Sequence, residues 1–211
     1  MERKSMRSIQ FMTRILFLLL IPVCFIWGQR DRDRWQQPER IIDTVGVKPG
    51  MVIGEAGAGE GYFTFKLAPK VGEQGMIYAN DINRSALRKL EKRATQEGIE
   101  NIKTIVGKVT NPLFPDGELD MLIMVYVFHD LTKPLPFLEN IKKDLKPGAP
   151  LVMVEGDPDK YYGEGHFYSR EQVVEMVTSV GYELVRTETF LPRDTIFIFK
   201  FNADKRSQSD D

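Results

Sequence analysis

Three alternating glycines, Gly57, Gly59 and Gly61, follow an apolar run in VIGEAGAGEGYF, and Glu55 stands two positions ahead of the first. Glycine has no Cβ, so such a backbone can pass close to a ligand or turn through left-handed conformations that other residues avoid. Spacing excludes two uses of a loop like this. A dinucleotide loop, GxGxxG, needs glycine at position 62 or 64, and those positions hold Tyr62 and Thr64. A triphosphate loop needs Gly-Lys-Ser/Thr after the glycines, and none follows. An NAD-dependent oxidoreductase is disfavoured on the same ground. Helix-on-strand packing would account for one glycine, but poorly for three behind an acidic residue.

A second group of chemically able residues lies further along. VYVFHDL holds Tyr126, His129 and Asp130, and EGDPDKYYGEGHFYS holds Glu155, Asp157, Tyr161, Tyr162, His166 and Tyr168. A neutral imidazole at His129 suits a general base near neutral pH, and Asp130 can orient it or cap the next helix. The plain alternative for His129 is a cap or a packing contact with Phe128. His166 sits in a glycine-flanked loop that could close over a substrate. Cys24 is the only cysteine, and His129 and His166 are the only histidines. No metal site is expected unless carboxylates complete one.

These residues need elements to hold them. Strand-like and helix-like segments alternate from residue 38 onward. Strands are expected at 51–57, 76–81, 102–107, 119–128 and 150–157, with two closing strands at 182–190 and 195–201. The segment 119–128 is apolar on both faces, as a central parallel strand is. Helices are expected from Pro38, at 62–72 with a stop by Pro69, at 83–98 capped by Asn83 and ended by Gly98, at 135–148, and at 169–181. Ser169 and Gln172 form a capping box. This pattern predicts an α/β fold: a Rossmann-like, doubly wound seven-stranded sheet, mostly parallel, with an antiparallel last strand. In such a sheet ligands bind beyond the carboxyl ends of the strands at the switch point. The glycine loop and the VFHDL segment both fall there.

Composition adds limits. The chain has 211 residues, 42% hydrophobic and 28% charged, with a net charge of -1, enough for one domain with a sizeable core. That balance disfavours a nucleic-acid partner held by charge alone. Residues 1–28 differ from the rest. Arg3, Lys4, Arg7 and Arg14 precede ILFLLLIPVCFIWG, which predicts a signal peptide, with Ile26 and Gly28 before a mature start near Gln29. The rival is a membrane anchor from about Phe11 to Trp27. A lipoprotein site at Cys24 is disfavoured by the bulky Val23. Either main reading places the domain outside the cytoplasm, periplasmic, secreted or anchored, with membrane contact only through this segment. Residues 29–37 read as a polar linker, 38–201 as the domain, and 202–211 as a disordered tail.

The phrase Glu55-Ala56-Gly57-Ala58-Gly59-Glu60-Gly61 resembles the acidic-x-Gly-x-Gly-x-Gly element of the class I S-adenosylmethionine-dependent methyltransferase family. The likeness runs from about Pro38 to Phe201 and includes LKPGAPLVMVEGD, GYELVRTETF and TIFIFKF. It implies S-adenosyl-L-methionine as cofactor. The backbone around Gly57 and Gly59 would approach the methionine part, with Ala58 and Gly61 in the same loop, and Glu55 would hold its ammonium. Asp81, at the next strand end, would accept hydrogen bonds from ribose, and Ile82 would lie against adenine. A helix N-terminal charge is the competing role for Asp81. One departure stands out. Lys108 occupies the place where many relatives have an acidic residue for the adenine amino group, and a charged lysine accepts no hydrogen bond. A carbonyl near Val109, or the side chain of Thr110 or Asn111, would replace it. Tyr126, His129 and Asp130 are then the candidates for acceptor chemistry. No Asn-Pro-Pro-Tyr signature or target-recognition domain is present, so the acceptor implied is a small molecule. The alternative is an exported binding protein that keeps the methyltransferase fold without catalysis.

Overall fold

The computed structural model describes residues 31–160 and 166–201. The expected signal or anchor, the tail, Tyr161 and Tyr162 lie outside them. Among the described residues no helix is long and apolar enough to cross a membrane. The chain divides into two units, Met1–Gln37 and Pro38–Asp211. In the first, residues 31–36 are helical where composition suggested a linker.

The second unit contains α1 (Pro38–Val45), β1 (Val52–Ala56), α2 (Thr64–Val71), β2 (Met76–Asp81), α3 (Arg84–Glu97), β3 (Ile102–Val106), β4 (Met121–Val125), α4 (Pro134–Ile141), β5 (Pro150–Gly156), α5 (Arg170–Ser179), β6 (Tyr182–Glu188) and β7 (Asp194–Phe201). The seven strands form one sheet in the order β3-β2-β1-β4-β5-β7-β6. The first five strands pair in parallel, and β7 runs antiparallel between β5 and β6. The sequence winds outward from β1 to β3, then restarts at β4 on the other side of β1. The switch point therefore lies between β1 and β4.

Side-chain alternation builds both core layers from the same strands. Met121, Ile123 and Val125 of β4 join Ile53, Phe63, Leu67 and Ile77 on one face. Leu122 and Met124 join Leu151, Met153, Phe197 and Phe199 on the other, with Phe137, Leu138, Val173 and Val177 from α4 and α5. All five β4 residues are buried, which is why that segment reads as apolar throughout.

Caps match the sequence. The Asn83 side chain accepts from the Ser85 and Ala86 N–H groups, Gly98 ends α3 in the left-handed conformation, and Ser169 and Gln172 complete their box on α5. Two expectations need correction. Pro69 does not stop α2, which runs on to Val71. In the last turn proline removes only one helical hydrogen bond, and Gly72 ends the helix instead, at φ +67. The helix expected over 135–148 ends at Ile141. Leu145 bridges Leu119, and the Lys146 N–H bonds the Leu119 carbonyl (2.9 Å), so pairing beside β4 takes residues that would have extended the helix.

Candidate functional site

The three glycines of the loop after β1 do different work. Gly57 has φ +74, and a Cβ there would lie 2.3 Å from Val127 Cγ2. Its missing side chain lets the end of β1 close against the residue just beyond β4. Gly61 (φ +91) is similarly filled in, by Phe65 at 2.7 Å and Leu90 at 2.9 Å. Gly59 (φ +56) has no atom within 4 Å of a Cβ position, so it borders open space. Asp81 fixes this loop. Its Oδ2 accepts from the Gly59 N–H and its Oδ1 from the Asn83 N–H, both at 2.8 Å. The Ala58 N–H bonds the Asn80 carbonyl at 2.8 Å. Glu55 is buried beneath the loop and accepts from the Thr64 hydroxyl at 2.5 Å.

A cleft of about 390 Å³ opens at the switch point. One wall is Ala56, Gly57, Asn80, Asp81, Ile82, Lys108 and Val109, and the other is Tyr126, Val127, Asp130, Leu131, Thr132 and Phe137. Ile82 is 62% exposed and Val109 47%, two apolar side chains left uncovered on neighbouring loops. The Lys108 N–H bonds the Asn111 carbonyl at 2.8 Å, and the Asn140 side chain ties the Thr110 carbonyl at 2.8 Å. Of the residues singled out in sequence, Gly57, Asp81, Ile82, Lys108, Val109, Tyr126 and Asp130 line the cleft. Glu55, Ala58, Gly59, Gly61 and His129 are not among its lining residues. Leu131, Thr132 and Phe137 were missed in sequence. Leu131 closes the VYVFHDL segment and Thr132 and Phe137 follow it, and none of the three carries a motif.

The wall after β4 is rich in ionisable groups. Tyr126 adopts φ +59, a left-handed conformation rare for a residue with a side chain. Its hydroxyl donates to Asp194 Oδ1. Asp194 is fully buried, and that burial pushes its carboxyl up to about 6, against the opposing pull of the Tyr126 bond. Glu155 is also buried. Its Oε1 accepts from the Val127 N–H (3.0 Å) and the Phe128 N–H (2.8 Å), and its Oε2 lies 2.5 Å from His129 Nδ1. Burial opposes protonation of His129. The Glu155 carboxylate, helped by Asp130, outweighs it and raises the imidazole above its ordinary pKa. Phe167 packs edge-on against His129, with centroids 4.6 Å apart, in a place that Gly156 leaves clear. Outside this packing lies Asp130, with its Oδ2 3.5 Å from His129 Nε2 and its Oδ1 3.1 Å from His166 Nε2.

Asp157 does structural work. Burial works against its charge, but Arg170 (3.0 and 2.5 Å) and the Thr195 hydroxyl (2.8 Å) hold its carboxyl below the ordinary value. These bonds join the end of β5 to α5 and β7. Tyr168 packs on Phe128 at 5.7 Å between centroids. The arrangement as a whole offers a backbone cradle, a pinned carboxylate and an apolar slot on one side. On the other it offers an apolar chamber rimmed by Tyr126 and Asp130.

A family model described as "Methyltransferase domain" matches residues 47–190. The ubiquinone/menaquinone biosynthesis C-methyltransferase UbiE of Hydrogenovibrio crunogenus is 31% identical over 115 residues, covering 54% of this chain and 45% of that protein. The chain thus spans about half the length of the curated relatives it matches. Among solved structures, a SAM dependent methyltransferase from Aquifex aeolicus superposes with a TM-score of 0.76 at 24% identity, over 81% of this chain and 92% of that one. The [4+2]-cyclase SpnF superposes with a TM-score of 0.66 at 14% identity, over 77% and 80%. At these identities the two structures speak for the fold, which proteins named for different reactions share.

Proposed function

The chain belongs to the methyltransferase-domain family, and from that premise we propose that it transfers a methyl group from S-adenosyl-L-methionine to a small-molecule acceptor. The observation that carries this reading is the switch-point cleft, in which a glycine cradle and a strand-end carboxylate face an apolar chamber. The residues fit the cofactor. Gly59 leaves room where a side chain would stand, and Asp81 keeps lone pairs for ribose hydroxyls beyond those given to Gly59 and Asn83. Ile82 and Val109 supply two exposed apolar surfaces for a flat base. Lys108 offers no acceptor, and Asn111 Oδ1 is engaged by the Leu113 N–H (2.9 Å), so the adenine amino group is left to the backbone near Val109 or the Thr110 hydroxyl. Glu55 braces the loop through Thr64 rather than from the cleft wall.

When bound, the cofactor supplies an electrophilic sulfonium methyl. This chain's residues position the acceptor and handle its proton. Val127, Leu131 and Phe137 give the acceptor an apolar bed. Asp130, on the cleft wall, takes the acceptor proton, with His129 behind it and held by Glu155. The curated relatives named for ubiquinone and menaquinone biosynthesis favour an apolar acceptor and transfer to carbon.

Calorimetric titration of the chain with S-adenosylmethionine and S-adenosylhomocysteine tests the reading. Saturable binding of both is expected, and no heat at high micromolar protein overturns it. Lys108 also supports the second reading, a binding protein without catalysis. Cofactor binding with no methyl transfer to any hydroxylated apolar ring tried would favour that one. The basic and then apolar residues 1–28 support export or membrane anchoring. The mass of the native N-terminus tests this, and a chain that is soluble in the cytoplasm with Met1 intact would refute it.

A further inference from the structure

We propose that His129, Asp130 and His166 form a binding site for one late first-row divalent cation, of which zinc is the best match, on the acceptor side of the cleft. The sequence allowed a metal site only if carboxylates completed one, and nothing in it pairs two histidines that lie far apart in the chain. The fold brings them together around Asp130, with one donor atom from each residue within 4.8 Å of the others. Each imidazole reaches a different oxygen of Asp130, His129 Nε2 at 3.5 Å from Oδ2 and His166 Nε2 at 3.1 Å from Oδ1, so the carboxylate stands between them at separations close to the edge of a zinc tetrahedron, roughly 3.3 Å for bonds near 2.0–2.1 Å, and a modest turn of it would present one oxygen to a shared ion. The separation between the two imidazoles closes by rotation of His166, whose side chain is 76% exposed.

The second observation is independent of the cluster. His129 is held from behind as a ligating histidine is held. Its Nδ1 faces Glu155 Oε2 at 2.5 Å, and Glu155 is itself fixed through Oε1 by two backbone N–H groups. In the neutral imidazole this places the proton on Nδ1 and leaves the Nε2 lone pair directed at Asp130. Phe167 packs edge-on at 4.6 Å and restrains the ring. Two imidazoles and one carboxylate suit zinc and its neighbours rather than magnesium, which prefers oxygen ligands. Three protein ligands leave a fourth position open. Asp130 lines the cleft, so that position faces the acceptor chamber. An acceptor with an ionisable oxygen would then bind the cation, which would lower that oxygen's pKa and replace Asp130, now a ligand, in helping the proton leave. This last consequence rests on the methyl-transfer reading, whereas the cation site does not.

The test is a zinc titration of the chelator-stripped full chain, with S-adenosylhomocysteine titrated in parallel. One equivalent of zinc should bind, and cobalt in its place should show the visible absorption of a four-coordinate ion. His166→Ala, on an exposed side chain, should fold, lose the cobalt spectrum and weaken zinc at least about tenfold. Glu155→Gln should weaken zinc about 10–100-fold. No saturable zinc binding, unchanged affinity in His166→Ala, or equal binding of magnesium overturns the site. Zinc binding without S-adenosylhomocysteine binding upholds the cation site and overturns the methyl-transfer reading, and the opposite result does the reverse.

Discussion

The two walls of the cleft are made of different material. The wall from β1 to β3 works by shape: glycine backbone at Gly57, in a loop that Asp81 pins through the Gly59 N–H, apolar surface at Ile82 and Val109, and the single carboxylate of Asp81, bound to two backbone N–H groups. The wall from β4 and β5 works by protonation: Tyr126 on Asp194, His129 on Glu155, and Asp130 between two imidazoles. A ligand common to many reactions can be held by fixed shape. The reacting partner needs groups whose charge changes. The difference predicts that substitutions on the two walls fail in different ways: one loses affinity with stability intact, and the other loses stability or changes its pH dependence.

The largest effect is expected at Glu155. Removing its carboxylate leaves the Val127 and Phe128 N–H groups and His129 Nδ1 without their acceptor in a buried setting. Each stranded donor costs about 1–3 kcal/mol, so Glu155→Ala should destabilise by about 4 kcal/mol in urea unfolding. A loss below about 1 kcal/mol would mean that this wall is not held by its polar network.

Asp194 comes next and separates the walls by pH. Burial raises its carboxyl from 3.8 to about 6, so between those values the folded chain keeps a proton that the unfolded chain has released. Stability is therefore lost as pH rises from about 4 to 6, by about 3 kcal/mol. Asp194→Asn keeps an acceptor for the Tyr126 hydroxyl and removes the buried charge. It should gain about 3 kcal/mol at pH 8 and nothing near pH 3.5. His129 acts in the same direction. Its pKa is raised, so its contribution is full below its ordinary 6.5 and is lost as pH rises through the folded value. Unfolding curves at several pH values check both. An Asp194→Asn gain that is the same at pH 3.5 and pH 8 would remove the titration argument.

The two walls also differ in how legible they were. The cradle wall is local in sequence: a strand, its glycine turn, and a strand-end Asp81 before an Asn83 cap are short motifs with physical signatures. Fold class followed from the alternation of elements and from the short link between the last two strands. The other wall is made of distant pairs. Tyr126 meets Asp194 across β7, which inserts beside β5, and His166 reaches Asp130 from beyond β5. No period or spacing encodes such meetings. The same cause shortened the helix after Pro134, because Leu119 pairs with Leu145 only in the folded chain. At Glu55 the motif drew attention to the right loop, but burial and Thr64 give that carboxylate a bracing contact.

Asp81 tests the shape-based wall. Asp81→Ala should weaken S-adenosylhomocysteine about 10–100-fold, the worth of hydrogen bonds to a charged group. Calorimetry reads the affinity, and urea unfolding should move far less than in Glu155→Ala. Unchanged affinity would remove the ribose role and leave Asp81 as a pin for Gly59 and the start of α3.

The smallest effect isolates what the glycines contribute. At Gly57 a Cβ would strike Val127 at 2.3 Å, so alanine there disturbs packing between the walls as well as backbone. At Gly59 the Cβ position is empty and only φ +56 opposes a side chain. Gly59→Ala should therefore lower stability by no more than about 1–2 kcal/mol, the strain of a left-handed residue. If Gly59 borders the bound cofactor, the added methyl should lower S-adenosylhomocysteine affinity beyond what that strain explains. A variant that binds as well as the parent while unfolding slightly earlier would show that Gly59 shapes the turn alone. The cradle would then reduce to Gly57 and Asp81.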